Sequence, residues 1–387
     1  MPIKVEDYYA PATFQRMKAF ADTQETPFVV IDTAIISQAY DDLRAGFEFA
    51  KVYYAVKANP AVEIIDLLKE KGSSFDIASI YELDKVMGRG VSADRISYGN
   101  TIKKSKDIRY FYEKGVRLFA TDSEADLRNI AKAAPGAKVY VRILTEGSTT
   151  ADWPLSRKFG CQTDMAMDLL ILARDLGLVP YGLSFHVGSQ QRDISVWDAA
   201  IAKVKVIFER LKEEDGIELK LINMGGGFPA NYITRTNSLE TYAEEIIRFL
   251  KEDFGDDLPE IILEPGRSLI ANAGILVSEV VLVARKSRTA VERWVYVDVG
   301  MFSGLIETMG EAIKFPLYTE KKGEMEEVVI AGPTCDSADI MYENYKYGLP
   351  LNLAIGDRVY WLSTGAYTTS YSAVEFNGFP PLKSFYL

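Results

Sequence analysis

Histidine and cysteine are nearly missing from this chain: 387 residues hold one of the first and two of the second. That scarcity excludes a disulfide framework, and it leaves too few soft ligands for a Cys/His zinc site, so no metal is expected. A lone histidine, with no Gly-x-Ser-x-Gly elbow, makes a Ser-His-Asp hydrolase unconvincing. Neither a Gly-x-Gly-x-x-Gly at a strand-to-helix turn nor a Walker lysine motif competes for a nucleotide. Basic residues are outnumbered, 44 Lys and Arg against 55 Asp and Glu, and no basic stretch offsets the net charge of −11. A nucleic-acid partner is therefore not expected, whereas acidity suits a cationic substrate. No apolar run reaches the roughly 18 residues of a membrane span, so no membrane partner is expected either. Residues 1–22 are mixed and charged and lack the apolar core of a secretory signal. A cytoplasmic, reducing compartment is the simplest expectation.

What is present is alternation. After one strand around Phe28-Val29-Val30-Ile31, a helical pattern runs over 33–50, and from there strands and helices alternate over short links. Eight strands are expected at 53–56, 74–78, 96–98, 118–121, 139–143, 183–187, 221–224 and 261–263. Helices are expected between them at 62–71, 105–114, 123–134, 165–176, 195–211 and 239–251. The fold class is α/β, and eight such units point to a (β/α)8 barrel. A doubly wound open sheet is the competitor that periodicity alone leaves open. Beyond Arg267 the helical pattern stops. Segments 274–284, 294–299, 328–331 and 358–362 are rich in Val, Ile, Tyr and Trp, which reads as an antiparallel β domain that also takes the early strand. The expected domains are thus 34–266 for the barrel and 1–33 with 267–387 for the sheet.

In such a barrel, function sits where strands end. Those ends carry Lys57, Asp76, Asn100, Arg142, His186, Gly225-Gly226-Gly227 and Glu264. Lys57 follows an apolar run, Val52-Tyr53-Tyr54-Ala55-Val56, and is expected to be desolvated, which lowers an amine's pKa and makes it a usable nucleophile. Read alone, it is a surface lysine at a strand's end. The glycine run can turn backbone N–H groups toward an anion, though by itself it is a tight turn. Glu264-Pro265-Gly266-Arg267 sets a carboxylate and a phosphate-matching guanidinium across a turn. His186 offers a flat ring for stacking on an aromatic cofactor, and Ser189 a hydroxyl for a phosphate. The stretch 145–160 is long enough for a lid over the site. An amine, phosphate donors, a ring stacker and a carboxylate are together the needs of pyridoxal 5′-phosphate.

Several motifs carry a resemblance. They are Tyr54-Ala55-Val56-Lys57-Ala58-Asn59, Phe75-Asp76-Ile77-Ala78-Ser79, Ser184-Phe185-His186-Val187-Gly188-Ser189, Gly225-Gly226-Gly227-Phe228-Pro229 and Glu264-Pro265-Gly266-Arg267. In this order they resemble the fold-type III pyridoxal-phosphate decarboxylases. Pro333-Thr334-Cys335-Asp336-Ser337 and Gly365-Ala366-Tyr367 are similar to the ornithine decarboxylase branch. The likeness covers nearly the whole chain. It implies decarboxylation of ornithine to putrescine, with lysine to cadaverine as a second activity, in polyamine biosynthesis. By that resemblance Lys57 binds the cofactor covalently and Glu264 partners its pyridine nitrogen. Asp76 and Arg142 lie by the cofactor, and His186 stacks on its ring. Ser189, Gly225, Gly226, Gly227, Gly266, Arg267 and Tyr367 belong to the cofactor contacts, and Lys158-Phe159-Gly160 closes the active-site loop. Cys335 protonates the carbanion carbon, and Asp336 faces the substrate's distal amine, both from the partner of a homodimer. The family's further acid near that amine is replaced by Gly310, with Glu311 beside it as a substitute. The alternatives are a lysine-preferring decarboxylase, an alanine-racemase-type enzyme, which leaves Cys335-Asp336 unexplained, and a non-catalytic regulator, which is expected to lose the cofactor contacts.

Overall fold

The structure is a computed structural model that describes residues 3–145, 150–153 and 158–387. It divides into two compact units. One holds Ser37–Pro229 and Asn237–Gly266; the other holds Met1–Ile36, Ala230–Thr236 and Arg267–Leu387. Residues 34–36 and 230–236 therefore group with the sheet unit, although they fall inside the stretch expected to form the barrel.

In the first unit eight parallel strands close into a barrel, which removes the open-sheet alternative. They are Ala50–Ala55, Ser74–Ile77, Ile96–Tyr98, Leu118–Thr121, Lys138–Arg142, Val179–Ser184, Leu221–Asn223 and Glu260–Leu263. Each pairs with its neighbours in chain order, and the last closes on the first with Ile261 opposite Ala50 and Leu263 opposite Val52. Branched and aromatic residues make these strands, and most are buried as a barrel wall requires. Gly182 lets two strands approach closely, because a Cβ there would lie 2.1 Å from the Leu221 carbonyl oxygen.

Helices follow the strands over the expected spans, within a few residues at most ends. One more, Ile80–Gly88, is absent from the helices read in the sequence. Its start resembles a capping box shifted by one residue: Ser79 Oγ accepts from the Glu82 N–H, and the Glu82 carboxylate accepts from the Ala78 N–H, one position before the N-cap. Between barrel strands five and six, Ala151–Trp153 pairs antiparallel with Ser189–Gln191. Of the lid expectation over 145–160, residues 146–149 and 154–157 lie outside those described.

The second unit is an eight-stranded sheet. Its order runs Leu317–Tyr318, Arg358–Leu362, Gly274–Ala284, Arg293–Val297, Met325–Ala331, Ile340–Pro350. Phe28–Ile31 pairs antiparallel with Gly274–Ala284, so the early strand belongs here as expected. Lys383–Tyr386 adds beside it in parallel, and Arg293–Val297 also pairs in parallel with Met325–Ala331, so the sheet is mainly rather than wholly antiparallel. Phe14, Met17, Phe28, Val30, Ile275, Val277, Tyr360 and Leu362 form a core of this unit.

Candidate active site

The residues expected at the strand ends meet at the C-terminal mouth of the barrel. The first strand stops at Ala55, whose N–H donates to the Pro265 carbonyl (3.0 Å) and so ties the first strand's end to the turn after the eighth. Lys57 lies one step on, in a single turn Val56–Ala58 fixed by buried Val56 and Ala58. Its side chain is 52% exposed, which corrects the expectation of a desolvated amine. The apolar run ends before the lysine, and the ammonium reaches into the acidic mouth instead. Lys57 Nζ lies 3.8 Å from the Asp76 carboxylate.

Asp76 is buried, and Gly99 makes room for it, since a Cβ on Gly99 would fall 1.9 Å from Asp76 Oδ1. Burial raises the Asp76 pKa, against the pull of Lys57 and Arg142 and of hydrogen bonds from Ser97 and the Gly99 N–H. Glu264 is pushed up to about 7, first by burial and then by the charge of Asp76; the Asn223 amide, Lys57 and Arg142 act downward. Two carboxylates thus compete for charge beside two cations. Asn223, fully buried, organises this corner: its Nδ2 donates to Glu264 Oε1, and its Oδ1 accepts from the Gly225 N–H (2.9 Å).

The glycine run has a steric reason. A Cβ on Gly225 would meet the Phe185 carbonyl oxygen at 2.5 Å, on Gly226 the Glu264 carbonyl at 2.7 Å, and on Gly227 the Gly188 carbonyl at 2.6 Å. Gly225 and Gly227 also hold φ of +64° and +102°, open to glycine at no steric cost. His186 faces this turn. Burial, then Arg142 and Lys57, drives its pKa well below the usual histidine range, so the ring is neutral. Its Nδ1 accepts from the Gly188 N–H (3.0 Å), which leaves the proton to Nε2. Arg142 lies over the Phe159 ring at 5.0 Å. Asn100 is spent on local structure, donating to the Ala78 carbonyl and accepting from the Ile102 N–H.

Of the remaining expected residues, Ser189 and Gly266 belong to the barrel unit, and Arg267, Tyr367, Cys335, Asp336 and Glu311 to the sheet unit. Arg267 is buried and bound bidentately by Glu307 (2.7 and 2.6 Å), donates to the Tyr232 hydroxyl (2.9 Å), and lies 4.8 Å from the Tyr367 ring centre. Burial opposes the guanidinium's charge and Glu307 more than offsets it. No motif announced Glu307. Cys335 and Asp336 are exposed, on a loop folded around Asp339. The buried Asp339 carboxylate accepts from the Met301 N–H (2.8 Å), the Thr334 N–H (3.1 Å) and the Thr334 hydroxyl (2.7 Å). Glu311 needs correction as a substrate contact. Its carboxylate accepts from the N–H groups of Glu343 (2.7 Å), Asn344 (2.6 Å) and Tyr345 (2.9 Å), so its lone pairs serve the backbone. Burial acts upward on its pKa, but these bonds hold it below the usual glutamate value.

The barrel residues fit pyridoxal phosphate: an amine for its carbonyl, a carboxylate for its pyridine nitrogen, a neutral ring for its face and a Cβ-free turn for its phosphate. Among the described residues no helix is long and apolar enough to cross a membrane, and no group of three or more His, Cys, Asp or Glu is placed to hold a metal.

Residues 33–271 match the family described as pyridoxal-dependent decarboxylase, pyridoxal binding domain. The chain is 33% identical over 366 residues to a lysine/ornithine decarboxylase of Selenomonas ruminantium, across 94% of this chain and 90% of that one. It is 31% identical over 381 residues to the ornithine decarboxylase of Saccharomyces cerevisiae, across 92% and 79%. The crystal structure of the Vibrio vulnificus lysine/ornithine decarboxylase complexed with cadaverine superposes with a TM-score of 0.87 at 29% identity, covering 98% of this chain and 99% of that one. The chain belongs to the pyridoxal-dependent decarboxylases and is a carboxy-lyase whose cofactor is pyridoxal 5′-phosphate.

Proposed function

We propose that the enzyme decarboxylates L-ornithine to putrescine and takes L-lysine, giving cadaverine, as its second substrate, in the supply of polyamines. The observation that carries this reading is the barrel mouth, where Lys57 faces Asp76 at 3.8 Å beside a Glu264 poised near neutrality. When bound, the cofactor supplies an electron sink for the pair left by the departing carboxylate.

This chain's residues do the rest. Lys57 would hold the cofactor by its carbonyl, and its half-exposed side chain leaves that position open to the substrate's amine. Glu264, in its charged form, keeps a proton on the pyridine nitrogen; Asn223 fixes the carboxylate and Arg142 favours its charge. Asp76, held beside Lys57, balances the ammonium. His186, neutral, packs on the ring without competing for protons. The Gly225-Gly226-Gly227 turn and Ser189 bind the phosphate, with Gly266, Arg267 and Tyr367 as further contacts and Glu307 orienting Arg267. Cys335 returns a proton to the substrate's α-carbon, and Asp336 pairs with its distal ammonium. Their exposure suits groups that act on another surface, so the active form is a homodimer in which each subunit lends both to its partner. Retention of the lysine, the carboxylates and the glycine turn argues against a non-catalytic regulator. The compartment this reading favours is the cytoplasm.

Two glutamates of 307–316 are occupied, Glu307 by Arg267 and Glu311 by backbone N–H groups. With Gly310 contributing no acid, Asp336 is the acceptor left for the distal amine. A site defined by one such contact discriminates weakly, since one methylene is worth about 1–3 kcal/mol. The test is product analysis with ornithine, lysine and arginine at equal concentration. Putrescine first and cadaverine second is expected; agmatine as the main product contradicts the proposal.

A further inference from the structure

The inner face of the barrel is layered. Side chains two apart on a strand share a face, so Tyr140 sits one layer below Arg142, Leu221 below Asn223 and Ile262 below Glu264. The lower layer packs Tyr53, Ala120, Tyr140, Leu221 and Ile262 together, with Leu118 and Tyr181 against them. Tyr140 is 1% exposed, and its buried hydroxyl completes no hydrogen bond among the described residues. Leaving such a group unsatisfied destabilises the fold, which phenylalanine at this position avoids.

The surroundings of that hydroxyl are polar on one side. Burial raises its pKa, and the charges of Glu264 and Asp76 raise it further, so both carboxylates act on it. Ser97 approaches the hydroxyl without completing a hydrogen bond, and Ser97 Oγ lies 3.5 Å from Asp76 Oδ1. Tyr53 and Arg142 also act electrostatically with this hydroxyl, and Lys57 and Arg142 act on both carboxylates. Glu82 feels Asp76 and Lys57, and the Tyr53 hydroxyl feels Glu264, Glu260 and Asp94. A buried water needs two to four polar partners and is found where buried polar groups are otherwise unmatched.

We infer that Tyr140 is a positioning residue: its hydroxyl and Ser97 hold one buried water beneath Asp76 and Glu264, passing hydrogen bonds up to the carboxylates. Donors aimed at a carboxylate favour its charged form. The barrel's second layer thereby helps keep Glu264 charged from below, while Lys57 and Arg142 do so from the mouth. The consequence for the cofactor rests on the proposed pairing of Glu264 with the pyridine nitrogen; the water site does not.

The test uses the holoenzyme and its Tyr140→Phe and Ser97→Ala variants. The readouts are the pH titration of the bound cofactor's visible absorbance, the pH profile of kcat/KM and the unfolding midpoint. In Tyr140→Phe the acidic limb of both profiles is expected to move upward by roughly half a pH unit or more. Ser97→Ala is expected to move it the same way, and the double variant little further than either single one. Unmoved profiles, with an unfolding midpoint equal to or above wild type, overturn the inference, because that is how a merely orphaned hydroxyl behaves. Should Tyr140→Phe fail to fold, a high-resolution crystal structure of the wild-type holoenzyme decides: water within hydrogen-bond distance of Tyr140 Oη supports it, and a dry site overturns it. If the wild-type protein shows no cofactor band, the proposed site fails instead.

Discussion

The barrel unit and the sheet unit present their reactive groups in opposite ways. At the barrel mouth, burial acts on the protonation of Asp76, Glu264 and His186, and the charges of Lys57 and Arg142 act on all three. In the sheet unit the ionised pair Arg267–Glu307 is buried and locked, while Cys335 and Asp336 stand exposed on a loop pinned by Asp339. The first arrangement is a site organised in advance around a cofactor. The second leaves Cys335 and Asp336 open to solvent on a loop whose shape Asp339 holds. On the function proposed above, the barrel would serve the cofactor, and Cys335 and Asp336 of the sheet unit would return the proton and read the substrate.

The sharpest break of that comparison is mixing. Lys57→Ala and Cys335→Ala are each expected to lose nearly all activity, one through each unit. If sites are shared, exchange of subunits between the two makes about half the dimers mixed, each with one intact site, and returns roughly a quarter of wild-type activity. No recovery after demonstrated exchange would assign both groups to one chain's site. Lys57→Ala should also leave the unfolding midpoint nearly unchanged, because the lysine is half-exposed and its neighbours carry the packing.

A smaller effect sharpens the electrostatic half. Glu264 has a folded pKa of about 7 against an ordinary 4.5, so the folded state binds its proton where the unfolded chain does not. Between those values stability falls as pH rises, and the destabilisation is fully present above about 7 and absent below about 4.5. In cofactor-free protein, Glu264→Gln removes that penalty. Its unfolding midpoint should exceed wild type by a few degrees at pH 8 and by much less at pH 4.5. A constant difference across that range would contradict the assigned cause.

The smallest expected effect concerns the missing acid. At Gly310 φ is +62° and a Cβ would meet nothing within 4 Å, so aspartate, which tolerates that backbone region better than most residues, is accommodated. Gly310→Asp should change the ornithine-to-lysine ratio of kcat/KM by about tenfold toward ornithine. An unchanged ratio removes this segment from substrate choice.

Much of this was legible in the sequence because barrel geometry is periodic. All eight barrel strands fall where apolar runs end in polar or glycine residues, and Lys57, Asp76, His186, Gly225-Gly226-Gly227 and Glu264 converge for that reason. What escaped is non-local or masked. Glu307 meets Arg267 across 40 positions with no motif to announce it, and Asn223 and Tyr140 look like ordinary inward strand residues. Strand Ile340–Pro350 hides its pattern behind Glu343, Asn344 and Lys346, whose neighbourhood is held by Glu311. The desolvation expected of Lys57 failed because burial stops at Val56 and resumes at Ala58. A run of apolar neighbours says nothing about which way one long side chain points.

The central claim is that the barrel mouth carries the cofactor on Lys57, and covalent trapping tests it most directly. Borohydride reduction of the holoenzyme followed by peptide mapping should find the pyridoxyl group on Lys57, and no label should appear in Lys57→Ala. A label on another lysine, or undiminished label in that variant, would contradict it.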